Sequence, residues 1–482
     1  MKRVSVGCLV FVALVAGGCG ARHADEITSA DAGRAPEAST TSGAPAATTK
    51  FGTLDSPCGP DVDGKKVTVA AAEAGEGTDK LYLGVANERT STIRPGLLKE
   101  MWDASVAFAK WCNDQGGIGG LPIEPVDIDG QVLKVEQAMA TACKDTFAMV
   151  GGGFVQDNLM FSGKAESDPH RCGLVNFPGF VVSTQAADAN GTFQPLPNPS
   201  RVRPVSFFEA LVKLYPEQMK KTTVVWGNLD SLKFNMQQVY GTAKFATGFG
   251  AVDPISYDAI GTVNWDLVAQ QVKSSGATAV GFVGEPNYFA ALVQKLREQD
   301  FAGPIFADAN QYDPILISSA GAGAVTNVQI RVAFHPFEEA DKWPATKQFV
   351  DIFHQDGPAD GKMALLGQQS FSAWLLFATA ARSCAATSGG ELTRSCVAKA
   401  ASGIHAWTGG GLHAESDPGK KLPPGCSMVM TVRNDKFERL FPKVGSSDDG
   451  GDGFTCSTQG NKGNVTIEGD YGQGNIDPSQ KY

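Results

Sequence analysis

The chain has 482 residues, 42% of them hydrophobic, 9% aromatic and 19% charged, with 41 Lys+Arg against 51 Asp+Glu for a formal net charge of -10. That length and apolar content allow several domains with real cores and exclude a chain disordered throughout. No uninterrupted run of about 20 apolar residues occurs, which excludes a polytopic membrane protein, and the acidic balance offers no basic face to a nucleic acid.

The N-terminus is predicted to direct export. Lys2 and Arg3 precede an apolar stretch over 4–16, which ends in Ala16-Gly17-Gly18-Cys19. A basic start, a short apolar core and small residues before a processing point make a secretory signal too short to span a bilayer. A Cys directly after the small residues resembles the lipobox of bacterial lipoproteins, although the position three before it, usually Leu, is Ala16. The resemblance implies that residues 1–18 are removed and that Cys19 carries a lipid. That lipid would be the only membrane contact, holding the protein to the outer face of the cell membrane. An ordinary signal with an incidental Cys19 is the alternative. Residues 19–57 are dominated by Ala, Ser, Thr, Gly and Pro, show no periodicity, and read as a disordered tether.

Beyond the tether, strand-like apolar runs alternate with helix-period segments. Leu81-Tyr82-Leu83-Gly84-Val85 reads as a strand, and the next helix, over 97–112, carries Leu98, Met101, Trp102, Ser105, Phe108 and Ala109 on one stripe. A glycine-rich turn over 113–120 leads to a strand over 123–128, a helix over 132–144 and a strand over 147–150. After the interruption Pro195-Leu196-Pro197-Asn198-Pro199, the rhythm resumes. A strand over 223–226 precedes helices around 233–244 and over 265–273, then a strand over 279–283 and a helix over 286–298. In that last helix Phe289, Leu292, Val293 and Leu296 share a face, and Pro286 suits its first turn. Such repeats predict an α/β fold of two doubly wound parallel-sheet lobes, with ligand chemistry beyond the carboxyl ends of the strands. The loops after Val85, Val150, Phe177, Trp226, Val283 and Ala307 are the places to look.

Of ten cysteines, Cys8 leaves with the signal and Cys19 takes the lipid, so eight remain. An even number in an exported chain reads as disulfides, with the pairing left open by spacing alone. No CxxC pair occurs and the histidines are scattered, so neither metal nor cofactor is expected. Residues 445–482 form a Gly- and Asp-rich tail whose Asp448-Asp449-Gly450-Gly451-Asp452-Gly453 lacks the Glu that closes a calcium loop, Gln459 standing there instead. There is no HExxH, G-x-S-x-G or Walker loop, and Gly321-Ala322-Gly323 lacks the third glycine of a dinucleotide fingerprint. Histidines 170, 335, 354, 405 and 413 fall at no ligand spacing. The chain is therefore not expected to be an enzyme, an exported α/β enzyme being the lesser alternative.

The segment 104–123, with Phe108, Asn113 and Gly116-Gly117-Ile118-Gly119-Gly120-Leu121-Pro122-Ile123, is similar to the first helix, turn and second strand of type I periplasmic binding proteins. The resemblance is to the branched-chain amino acid (Leu/Ile/Val) group, the solute-binding lipoproteins of ABC importers. It continues in order through Asp127 and Asp129, 136–143, Phe147-Ala148-Met149-Val150-Gly151-Gly152-Gly153, Gly173-Leu174-Val175-Asn176-Phe177-Pro178-Gly179, 284–300, 349–353 and 371–381. It implies two lobes joined by a three-strand hinge that close on a small molecule as a hinged trap. Lobe one would be 65–196 plus 309–420, and lobe two 197–308 plus 421–444. The implied partners are a small-molecule ligand and an ABC permease in the membrane, the protein acting as a monomer. A tethered sensor on the same fold is the alternative.

Against that group the ligand loops depart. Relatives place hydroxyls after the third strand, whereas Gly152-Gly153-Phe154-Val155-Gln156-Asp157 has none, and their Pro-Gly-Ala-Thr loop is here Pro178-Gly179-Phe180-Val181. Glu285 is the candidate for holding a substrate amine. An amino acid, a neutral or amide-bearing solute and a cation all stay open. Strand-end placement names Asn87, Glu88, Phe154, Gln156, Asp157, Pro178, Gly179 and Phe180 from lobe one. From lobe two and the hinge it names Trp226, Asn228, Asp230, Glu285, Asn287, Tyr288, Asn310 and Gln311. Helix and strand placement pairs Cys143–Cys172, Cys384–Cys396 and Cys426–Cys456, with Cys58–Cys112 by elimination.

Overall fold

A computed structural model describes residues 50–248 and 252–469. The signal, Cys19 and the tether up to residue 49 lie outside the described residues, as does the end of the tail from 470.

Two mostly parallel sheets organise the body. In the first, Leu81–Asn87 runs between Ile123–Asp129 and Ala148–Val150, with Asn176–Phe177 at the far edge, all parallel. The second orders Ile255–Tyr257, Thr222–Gly227, Ala279–Val283, Ile305–Ala307 and Gln329–Val332 in parallel, then adds Cys426–Arg433 and Lys436–Phe441 antiparallel. Ala279–Val283 is buried at every position, as expected of a central strand covered by helices on both faces. At the glycine turn, Gly117 holds φ +72°, and a Cβ there would meet the Leu121 carbonyl oxygen at 2.3 Å. Only glycine fits that reversal.

Helix Lys99–Asp114 packs on Leu365–Ser388, a 24-residue helix with apolar side chains buried around most of its circumference. Phe108 stacks on Trp374 at 5.3 Å between ring centroids. Ser105, the polar residue on the apolar stripe, accepts the buried Trp374 indole N–H at 2.7 Å, so a hydroxyl stands where that donor needs a partner.

Among the described residues the chain passes between the sheets three times, near 195, 333 and 414. Ser416 donates its hydroxyl to the Pro195 carbonyl at 2.5 Å, and Ala414 N–H to the Ala333 carbonyl at 2.9 Å. Those bonds lay the three crossovers side by side as a hinge. The second crossover comes later than the expected boundary at 309. Gln329–Val332 hydrogen-bonds beside Ile305–Ala307, and helix Pro314–Ser318 packs on Pro286–Glu298. Residues 309–332 therefore side with the second sheet.

Residues 50–57 also differ from the expected tether. Phe51 is fully buried, its ring 5.3 Å from Phe371 and 5.9 Å from Trp111. One large aromatic at the end of the Ala/Ser/Thr tract supplies the apolar area that pins the segment. In the tail, Asn464–Thr466 pairs antiparallel with Val202–Pro204, and the Asp449 carboxylate accepts N–H bonds from Gly445, Gly451 and Gly453. The cysteines pair as Cys58–Cys112, Cys143–Cys172, Cys384–Cys396 and Cys426–Cys456, the pairs named from the sequence.

Candidate ligand-binding cleft

A cavity of about 510 Å³ lies between the lobes, lined from the carboxyl-terminal side of both sheets. Residues 93–98 follow the first strand of lobe one and 179–182 its last. From lobe two come 284–288, after Ala279–Val283, and 308–310, after Ile305–Ala307. The crossovers add 194, 196–198, 203–204 and 423–424. This is where parallel sheets present ligand sites, because strand ends and helix starts leave backbone groups and short loops there.

The wall is largely apolar. Leu98, Phe180, Val182, Leu232, Phe282 and Leu366 line it. Set into that wall are charged groups, each engaged by a neighbour. Arg94, from lobe one, donates Nε to the Glu285 carboxylate at 3.1 Å and Nη2 to the Ala259 carbonyl at 2.6 Å, both in lobe two. Its guanidinium also hydrogen-bonds the Tyr288 hydroxyl and lies 4.7 Å over that ring. Burial raises the Glu285 pKa even with Arg94 beside it.

Toward the hinge, Lys362 Nζ sits 2.9 Å from Glu100 and 2.6 Å from Asp313. Burial favours the neutral amine, yet the two carboxylates outweigh it and raise the Lys362 pKa. A third pair is bidentate, Arg331 Nε and Nη2 donating to the two Asp308 oxygens at 2.9 and 3.2 Å. Arg203 donates to Asn198 and to the Pro199 carbonyl.

The family model described as periplasmic binding protein matches residues 170–436, more than half of the chain. The chain belongs to the periplasmic binding protein family. Among solved structures it is similar to a fatty acid ABC transporter substrate-binding protein from Thermomonospora curvata, at 17% identity over 80% of this chain and 95% of that one, TM-score 0.64. It is also similar to a leucine binding protein from Thermotoga maritima, at 16% identity over 74% and 97%, TM-score 0.60. A third is a branched-chain amino acid transporter substrate binding protein from Streptococcus pneumoniae in complex with isoleucine, at 16% over 75% and 100%, TM-score 0.56. These likenesses show the fold, the two-lobed type I architecture. No curated protein matches.

In this binding protein the cavity brings together six of the residues named from the sequence: Gly179, Phe180, Glu285, Asn287, Tyr288 and Asn310. Ten others do not line it. Asn87 is buried, its amide donating to Val85 O and Asp127. Glu88 is buried behind the wall, one oxygen accepting Val155 N–H at 3.2 Å and the other unpartnered, and burial pushes its pKa up to about 8. Phe154 is core, packed among residues such as Ile128 and Met139. Gln156 donates to Val132 O. Asp157 accepts the Val182 and Ser183 N–H groups at 2.8 and 2.9 Å, its pKa pushed up to about 6 by burial. It fixes the 180–183 loop rather than facing a ligand. Pro178 only precedes the lining.

Trp226 packs on the cluster that includes Val224 and Leu232. Asn228 accepts Ala259 N–H at 3.0 Å, Asp230 is exposed at the start of its helix, and Gln311 donates to Gly284 O at 2.7 Å. The sequence reading missed Arg94, Glu100, Asp308, Asp313, Arg331 and Lys362. For Arg94 a signal existed, an arginine between Ile93 and Pro95 in the loop after the first strand. For Lys362 none did, since its partners are brought to it by the fold.

Proposed function

We propose that this protein is the extracytoplasmic solute-binding component of an ABC importer, tethered through a lipidated Cys19. It captures a small molecule between its lobes and delivers the closed form to a membrane permease. It acts as a monomeric, non-catalytic receptor. The observation that carries this reading is the cleft itself, lined from the strand ends of both lobes and spanned by Arg94. A solute touching both walls stabilises the closed form, which is what a permease would read.

Glu285, the candidate for holding a substrate amine, is paired with Arg94, which argues against an amino-acid ligand. A thermal-shift screen of the mature chain against amino acids, amides, polyamines, sugars, fatty acids, alcohols and small aromatics tests the reading. A ligand at 100 times its Kd stabilises by about 2.7 kcal/mol, visible as a shift of roughly a few degrees. Silence across the whole panel, with folded protein freed of copurified ligand, sinks the receptor reading.

A further inference from the structure

We propose that the cleft selects an uncharged solute with a predominantly apolar body and neutral hydrogen-bonding groups, a long-chain alcohol being the simplest model. The proposal rests on the receptor reading above and deepens it.

The first observation is charge balance. Arg94, Arg203, Arg331 and Lys362 line the cavity as cations. Glu100, Glu285, Asp308 and Asp313 line it as anions. Four charges of each sign balance in number, and at least seven of the eight are engaged with one another. Arg94 holds Glu285, Arg331 holds Asp308 through two bonds, and Lys362 sits between Glu100 and Asp313. A charged ligand entering this wall loses its water and must break one of those pairs, or draw Arg203 from Asn198 and the Pro199 carbonyl, to find a counter-charge, which strands the displaced partner in a poorly solvated place. A zwitterion would have to insert between Arg94 and Glu285, whose atoms already stand 3.1 Å apart.

The second observation is what remains available. Asn235, Asn287 and Gln369 are half-buried cavity residues whose side-chain amides make no hydrogen bond among the described residues. Amides both donate and accept, so they suit hydroxyl, carbonyl or amide groups without demanding a charge. The apolar side chains between them reward an apolar body. The third is size. At about 510 Å³ the cleft falls in the range of roughly 300–1,000 Å³ that encloses a drug-sized molecule, well beyond what one small amino acid fills.

Isothermal titration of the mature chain with 1-decanol, decanoate, decylammonium and L-leucine tests this, because the first three share one chain and differ only in head-group charge. Decanol is expected to bind one to one and at least about tenfold more tightly than either ion. Decanoate or decylammonium binding as tightly as decanol overturns the proposal, and so does silence from all three. Leucine binding alone overturns it while leaving the receptor reading standing. The receptor reading falls only if the wider solute panel is also silent. Two variants check that the balance is the cause. Arg331→Gln unpairs Asp308 and should move the preference toward decylammonium, whereas Asp308→Asn should move it toward decanoate. If both fold and neither preference moves, charge balance does not govern selection.

Discussion

Two ion clusters join the lobes across the cleft, and they differ in how much water reaches them. At the hinge side, Lys362 is held by Glu100 and Asp313, whose side chains are 3% and 5% exposed. At the mouth, Arg94 and Glu285 keep 15% and 20% exposure. Glu100 belongs to helix Lys99–Asp114 of lobe one. Asp313 caps helix Pro314–Ser318 on the other side, accepting Ile315 N–H at 2.8 Å. Lys362 itself is 18% exposed, but the two carboxylates it holds are shielded from water, so the triad is a fixed joint. Arg94 and Glu285 keep more exposure than those two carboxylates, so their contact parts at lower cost than the triad and acts as a latch. A trap that must open needs its weak charged contact at the mouth and its strong one at the pivot.

The sharpest way to break that comparison is Lys362→Met. It leaves two buried carboxylates without their cation, and a loss of about 3–5 kcal/mol is expected in chemical denaturation. Adding Glu100→Gln and Asp313→Asn to the same chain should recover much of it. A loss under about 2 kcal/mol from Lys362→Met alone would place the hinge triad in the same class as the mouth pair.

Glu88 sharpens the comparison from the latch side, because it anchors the loop that carries Arg94. It forms a bridge with Leu97, and its carbonyl accepts Ser91 N–H. Its pKa is raised by burial from 4.5 to about 8. The folded protein therefore keeps a proton that the unfolded chain releases, and this group's contribution to stability falls as pH rises from about 4.5 to about 8. Glu88→Gln removes that slope. The variant should gain melting temperature relative to the wild type as pH rises through the window, with the gain complete above about pH 8. Parallel melting curves for the two proteins across that range would show that Glu88 is already charged in the fold.

Much of the architecture was legible because parallel strands buried on both faces read as short apolar runs, such as Ala279–Val283. Helix stripes such as Phe289, Leu292, Val293 and Leu296 are fully buried. The lobe boundary was not legible, because Gln329–Val332 is placed by a ladder partner and not by its own pattern. At the cleft the right loops were found and many wrong side chains chosen from them. Short polar residues at strand ends serve the backbone first: Asn87 donates to Val85 O, Asp157 accepts two N–H groups and Gln311 caps Gly284 O. The charged residues that do line the cleft find partners far along the chain, 191 positions away for Arg94 and Glu285, and 262 for Lys362 and Glu100. No local pattern encodes such a pairing.

The smallest expected effect belongs to the latch, and it separates closure from folding. Arg94→Gln removes an ion pair with 15% and 20% exposure, so global stability should fall by about 1–2 kcal/mol, less than for Lys362→Met. What should change is the population of open molecules. Arg94 meets Glu285, Ala259 O and Tyr288 only when the lobes are together, so losing it shifts weight to the open form without touching either lobe's core. The ligand-free variant should show a larger radius of gyration by small-angle scattering than the ligand-free wild type, while a bound solute returns both to one value. Glu285→Gln should open the protein in the same way, and combining the two should add little, because both remove one contact. If the effects of the two substitutions on the radius simply add, Arg94 and Glu285 act on closure independently and the latch is not their pairing.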